Sequence, residues 1–271
     1  MAPLSFCSVC VPPFISLSRK SGLRPISEKS QEIEQLESVP FCIICIFAAD
    51  MDRLVIFDLD GTLLNTIADL AEGVNHTLAA HGLPQHTIDE YTLMVGNGMR
   101  KLVMRALPDN LASDDTFVDS TLVEFLNYYA DHIDVYTKPY PGIPELINSL
   151  STDGYRLAVA SNKIQAGAEK LIAKFFFGIE FVAVMGNSPQ YPLKPDAALV
   201  EYIMDKARTD RTHTIMVGDS GTDIQTARNA GIPIIAVSWG FRPRHELTAA
   251  DHIADTTNQI QRILESSEFN A

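Results

Sequence analysis

Beyond residue 50 the chain is punctuated by short apolar runs that stop abruptly at polar or glycine residues. Leu54-Val55-Ile56-Phe57 ends at Asp58-Leu59-Asp60-Gly61, and Arg156 to Ala160 ends at Ser161. Thr214 to Val217 ends at Gly218-Asp219-Ser220, and Ile232 to Val237 closes the series. Runs this short, without polar alternation, read as strands buried on both faces. Helical patterns lie between them, so the alternation predicts an α/β fold: a parallel sheet with helices on both faces. Such sheets gather ligands at the carboxyl ends of their strands, which makes the residues just after each run the candidates for chemistry.

From about Thr66 to Lys138 the strand signal disappears. Ile67, Leu70, Ala71, Val74 and Leu78 recur at helical spacing up to a stop at Gly82, Thr87 with Glu90 forms a capping box, and Thr116 to His132 continues as helix. The pattern predicts a helical insert over 66–138, with Tyr136 to Gly142 as its return hinge, inside a body made of 51–65 and 139–271. No internal repeat is evident.

Residues 1–50 have a different character, rich in Ser and Pro with a Glu-bearing patch from Glu28 to Glu37. We expect a disordered extension or an upstream artefact, with Met51 as the functional start because a strand follows it directly. Cys7, Cys10, Cys42 and Cys45 all lie there, as two C-x-x-C pairs that read either as a zinc-binding module or as incidental cysteines. The cysteine-free remainder was not built for disulfides. Neither apolar stretch of the extension reaches the roughly 20 residues that span a bilayer, and no basic segment precedes the first. A cytoplasmic protein without a membrane partner is therefore expected.

Composition narrows the function. A hydrophobic fraction of 46% over 271 residues suits a core-forming chain. A formal net charge of −13 argues against polyanionic partners such as nucleic acid. A small anionic substrate remains compatible where charge is neutralised locally by a cation, a lysine or backbone N–H groups. Oligomeric state is not legible.

The strand-end residues supply that chemistry. Asp58 and Asp60 follow the first run, Ser161-Asn162-Lys163 the second, Asp219 and Asp223 the third, and Lys194-Pro195 lies between. Asp58 can attack phosphorus as a carboxylate nucleophile. Asp58 and Asp219 offer hard oxygen ligands suited to Mg2+, which offsets the repulsion between carboxylate and phosphate. Asp60 can then protonate the leaving alkoxide and later take a proton from the attacking water. Ser161, Asn162 and Lys194 can hold the phosphoryl oxygens, with Asp223 orienting the metal's surroundings. Blander readings stand beside these: turn residues for Asp58 and Asp60, helix caps for Ser161 and Asn162, a surface lysine for Lys194, and a helix-dipole charge for Asp223.

Taken together, Asp58-x-Asp60-Gly61-Thr62, Ser161 after a strand, Lys194-Pro195 and Gly218-Asp219-x-x-x-Asp223 resemble the four motifs of the haloacid dehalogenase-like hydrolases, over about Arg53 to Leu264. The resemblance implies a Rossmann-like core and an inserted α-helical cap domain. It makes Asp58 the nucleophile and metal ligand, Asp60 an acid/base whose backbone carbonyl also meets the metal, Asp219 the other protein ligand, and Thr62 a phosphate-binding residue. Within that superfamily the chain is similar to the bacterial phosphoglycolate phosphatases, through Phe57 to Thr66, Val95-Gly96-Asn97-Gly98, Tyr140-Pro141-Gly142, Val217 to Ser220 and Trp239-Gly240-Phe241. That likeness implies a Mg2+-dependent phosphomonoesterase acting on a small phosphate ester, 2-phosphoglycolate foremost. Gly96, Asn97 and Gly98 would turn backbone N–H groups onto its carboxylate, with Arg100 pairing with it; a simple helix break and a surface arginine are the alternatives. A β-phosphoglucomutase-like mutase, a pyrophosphatase and a non-catalytic phosphate-binding protein share enough of the pattern to stay open.

Overall fold

The first run folds as a strand, β1 (Leu54–Phe57), and the computed structural model describes the chain from residue 53 to residue 266. The expectations for residues 1–50, the start at Met51 and the four cysteines lie outside the described residues. After β1 come β2 (Leu64–Asn65), α1 (Ile67–Ala80), α2 (Ile88–Met94), α3 (Met99–Ala106), α4 (Asp109–Ala112), α5 (Asp115–His132) and β3 (Lys138–Pro139). The chain continues through α6 (Ile143–Thr152), β4 (Arg156–Ile164), α7 (Gln165–Phe175), β5 (Ala183–Asn187) and α8 (Ala198–Ala207). It closes with β6 (Thr214–Gly218), α9 (Gly221–Ala230), β7 (Ile234–Val237), β8 (His252–Ala254) and α10 (Thr257–Glu265).

Six strands form one parallel sheet in the order β5-β4-β1-β6-β7-β8. Successive side chains of β1 point into opposite cores: Val55 and Phe57 pack with α6, α7 and α10, while Leu54 and Ile56 pack with α8 and α9. The same division holds along β4, β6 and β7, which is why their sequences carry no polar alternation. The fourth run begins two residues later than its sequence suggests, because Pro233 has no N–H to give the ladder; its carbonyl accepts from Met216 instead. Two strands, β5 and β8, gave no signal of their own. β5 ends in Gly186-Asn187 and is only partly buried, β8 is three residues long, and both stand at the edges of the sheet.

The helical stretch breaks into five helices, α1 to α5, between β2 and β3. The capping box at Thr87 and Glu90 is present and starts α2. β2 and β3 pair antiparallel, Leu64 with Pro139 and Asn65 with Lys138, so the chain leaves for the helices and returns at one point. Buried Asp69 of α1 secures the return by accepting from the N–H groups of Tyr136 and Thr137 and from the Thr137 hydroxyl. α1 lies close against α5: a Cβ on Gly73 would stand 2.9 Å from Phe125 Cε2. Among the described residues no helix is long and apolar enough to cross a membrane.

Candidate active site

β1 sits between β4 and β6, so the residues leaving these three parallel strands emerge side by side on one edge. Asp58 follows β1, Asp219 follows β6, and Ser161 and Asn162 lie where the β4–β5 register breaks, between Ala160 and Ile164. One carboxylate oxygen from each of Asp58, Asp219 and Asp223 falls within 4.8 Å of the others, and all three residues are buried.

One ammonium serves this cluster. Lys194 Nζ donates to Asp58 Oδ1 at 2.8 Å and to Asp223 Oδ1 at 2.6 Å. Burial opposes its charge, but Asp223 and Asp58 outweigh that effect and hold its pKa above the ordinary lysine value. The surface-lysine reading is thereby excluded. The carboxylates remain under-compensated: burial pushes Asp58 up to about 7 against the pull of Lys194, with Asp223 adding to the rise. Asp219 is driven well above the usual carboxylate range by burial, Asp223 and Asp58 together. Three buried oxygen donors sharing one lysine form a set that a divalent cation fits in charge and in ligand type.

Glycines make this packing possible. Gly61, at φ +87°, and Gly240 both face Asp219, and a Cβ on either would approach its Oδ2 to 2.3 and 2.4 Å. The Phe241 N–H donates to that same Oδ2 at 2.7 Å. Asp223 occupies the third position of α9, where it completes a capping box with Ser220. Its helix-terminal role and its contact with Lys194 therefore coexist, one through each carboxylate oxygen.

Asp60 stands apart from the cluster. Its Oδ1 accepts from the Thr66 hydroxyl at 2.6 Å and from Lys163 Nζ at 2.9 Å, while Lys163 also donates to the Tyr129 hydroxyl of α5 at 2.7 Å. Burial opposes the Lys163 charge, yet Asp60 and Tyr129 raise its pKa. Lys163 and Tyr129 carried no role in the sequence reading. The available signal was a lysine inside what turns out to be a strand, since β4 runs through Ser161-Asn162-Lys163 to Ile164.

Asp58, Asp60, Ser161, Asn162, Lys163, Lys194, Asp219, Ser220, Thr222 and Asp223 line one side of a cavity of about 60 Å³. Leu70, Val95, Gly96, Gly98, Met99, Leu102, Phe241 and Arg242 complete its wall. At roughly 10–15 Å³ per water, that space admits a handful of waters or a small ligand. Neither Ser161 nor Asn162 caps α7, whose N-cap is Ile164. The Ser161 hydroxyl accepts from the Lys163 N–H, and the Asn162 amide is spent on both backbone groups of Lys194.

The side chains of three expected binders stand away from the cavity. Thr62 is fully buried, and its hydroxyl has no hydrogen-bond partner. The Asn97 side chain turns to Thr222 and Arg105, while its backbone N–H, the group expected to bind, lies between the wall residues Gly96 and Gly98. Arg100 is exposed on α3 and held by Asp119 and Asp115, each at 2.7 Å, so its charge is satisfied away from the cavity. The arginine on the wall is Arg242, brought there by the loop after β7.

The sequence profile of the family described as haloacid dehalogenase-like hydrolase matches residues 55–237. The chain is 39% identical over 192 residues to the phosphoglycolate phosphatase of Agrobacterium fabrum, covering 70% of this chain and 82% of that protein. It is 38% identical over 195 residues to the phosphoglycolate phosphatase of Mesorhizobium japonicum, covering 71% and 85%. Among solved structures, a Lactobacillus delbrueckii subsp. bulgaricus protein assigned as a phosphoglycolate phosphatase superposes with a TM-score of 0.74 at 31% identity, over 78% of this chain and 98% of that one.

Proposed function

This chain belongs to the haloacid dehalogenase-like hydrolases and is a phosphatase, and from that premise we propose that it hydrolyses 2-phosphoglycolate to glycolate and phosphate with Asp58 as nucleophile. The observation that carries this reading is the cluster of three buried carboxylates around Lys194, facing the same cavity as a fourth carboxyl, Asp60, that stays outside it. Asp58 and Asp219, with the backbone carbonyl of Asp60, would hold Mg2+, and Asp223 would steady them from behind. Bound there, Mg2+ neutralises charge on the carboxylates and the phosphoryl oxygens.

The protein's own groups divide the remaining work. Lys194 binds Asp58 through Oδ1 and leaves Oδ2 to form the bond to phosphorus as the ester P–O bond breaks. Lys163 and Thr66 fix Asp60 through Oδ1, leaving Oδ2 to give a proton to the departing alkoxide and then to take one from the water that opens the aspartyl phosphate. Ser161 and Lys194 offer donors to the transferring oxygens. Helices α1 to α5 act as a cap over the cavity, hinged at Asn65-Thr66 and Lys138 to Gly142, which admits water late and excludes it early.

The test is the initial rate of phosphate release with Mg2+ and with EDTA, across 2-phosphoglycolate, pyrophosphate, β-glucose 1-phosphate and several sugar phosphates. A Mg2+-dependent preference for 2-phosphoglycolate is expected. Equal rates on sugar phosphates would overturn the substrate, and full activity in EDTA would overturn the metal.

A further inference from the structure

The remaining wall of the cavity, away from the strand-end residues, is poorly equipped to receive a polar leaving group. Leu70, Val95, Met99 and Leu102 offer no hydrogen bonds, and Gly96 and Gly98, at φ +112° and +86°, offer only backbone. A sugar's hydroxyls would lose their water here without replacement. The one charged side chain on that wall is Arg242.

Arg242 is held in place on two sides. Its loop is tied to the sheet edge by the Phe241 N–H on Asp219 and by Trp239 Nε1 on the Thr62 carbonyl. Its guanidinium donates through Nη1 to the carbonyls of Thr92 and Leu93 and through Nη2 to that of Val95, at the carboxyl end of α2. A Cβ on Gly96, at φ +112°, would stand 3.1 Å from Nη2, so glycine lets the guanidinium lie close against this turn. All these acceptors are neutral. Among the described residues Arg242 makes no ion pair, and its Nε–H meets no acceptor. Lys163 and Lys194, the other cations of the cavity, are already committed to carboxylates.

We propose that Arg242 is the specificity-determining residue of this site: its unpaired guanidinium binds a carboxylate on the leaving group, so the enzyme selects short phosphomonoesters that end in an anion. This rests on the phosphomonoesterase reading above and replaces Arg100 as the group that recognises the carboxylate. Arg242 touches substrate at the end remote from phosphorus and takes no part in the bond change.

The experiment compares kcat/KM for 2-phosphoglycolate and for 2-hydroxyethyl phosphate, its neutral counterpart, in the full chain with Mg2+. Wild type should prefer the carboxylate by about a hundredfold or more, as sites built around a polar group reject analogues that lack it. Arg242→Gln should collapse that ratio to within about tenfold by losing 2-phosphoglycolate alone, and Arg242→Lys should retain part of it. Equal losses on both substrates in Arg242→Gln would reduce the residue to a clamp on α2 and overturn the proposal, as would a wild-type ratio near one. Should Arg242→Gln not fold, the wild-type ratio and Arg242→Lys decide. Wild type that releases phosphate from neither ester brings down the 2-phosphoglycolate reading on which the proposal rests, which is a different result from hydrolysis without discrimination.

Discussion

Lys194 governs the electrostatics of the site, since one buried ammonium faces Asp58 and Asp223 at hydrogen-bond distance with Asp219 close behind. Replacing it by methionine leaves buried carboxylates without a counter-charge, which costs about 3–5 kcal/mol where a buried pair is broken. Urea unfolding of Lys194→Met in EDTA should show that loss at pH 8 and a smaller one at pH 5, because protons neutralise the orphaned carboxylates. A penalty that does not change with pH would mean the lysine matters for packing rather than charge. Asp58→Asn should fold normally and lose at least about a hundredfold in kcat, roughly 2.7 kcal/mol of barrier. Activity within tenfold of wild type would remove Asp58 as the nucleophile.

At the level of elements, the five helices between β2 and β3 depend on how closely α1 can approach α5. Gly73 is the point of contact, and two effects of opposite sign meet there. Alanine favours a helix interior over glycine by about 1 kcal/mol. Against that, its Cβ would stand 2.9 Å from Phe125 Cε2, closer than packed carbons tolerate, with Tyr129 Cδ2 already in contact at 3.4 Å. Overpacking of this kind costs about 1–3 kcal/mol, so Gly73→Ala should destabilise, read as a lower urea midpoint at unchanged slope. A stabilised variant would show that α5 yields freely. Because Tyr129 also holds Lys163, and Lys163 holds Asp60, the same packing reaches the carboxyl proposed as acid/base.

On the scale of the whole molecule, the buried acids make stability depend on pH and cation together. Burial raises the folded pKa of Asp58 to about 7, from an ordinary carboxylate value of 3.8. A carboxyl raised in this way favours the fold most below about 4, and that contribution is lost as pH rises through about 7. The cation should therefore stabilise most where protons no longer compete for the oxygens. At a hundred times its Kd, Mg2+ adds about 2.7 kcal/mol, or roughly 5–10 °C in Tm for a body of this size. Thermal melts with Mg2+ and with EDTA should show that shift at pH 8 and a clearly smaller one at pH 5; equal shifts would place the cation away from these carboxylates.

What could be read from the chain alone was what neighbouring residues decide together. The four buried runs, the Thr87 capping box and the acids at the strand ends are local patterns, and parallel strands necessarily bring their carboxyl ends to one edge. The edge strands escaped this reading: β8 is three residues long, and β5 is only partly buried and ends in Gly186-Asn187. Partners far apart in sequence depended on the tertiary structure. Lys194 meets Asp58 across 136 positions, Lys163 meets Asp60 across 103, and Arg242 reaches Thr92 across 150. Arg100 turns outward to Asp115 and Asp119 although the sequence set it beside the glycine turn of the cavity. Sequence spacing determines which strand or helix carries a side chain; which groups that side chain finally meets follows from the packing of sheet, helices and loops, and no local pattern encodes it.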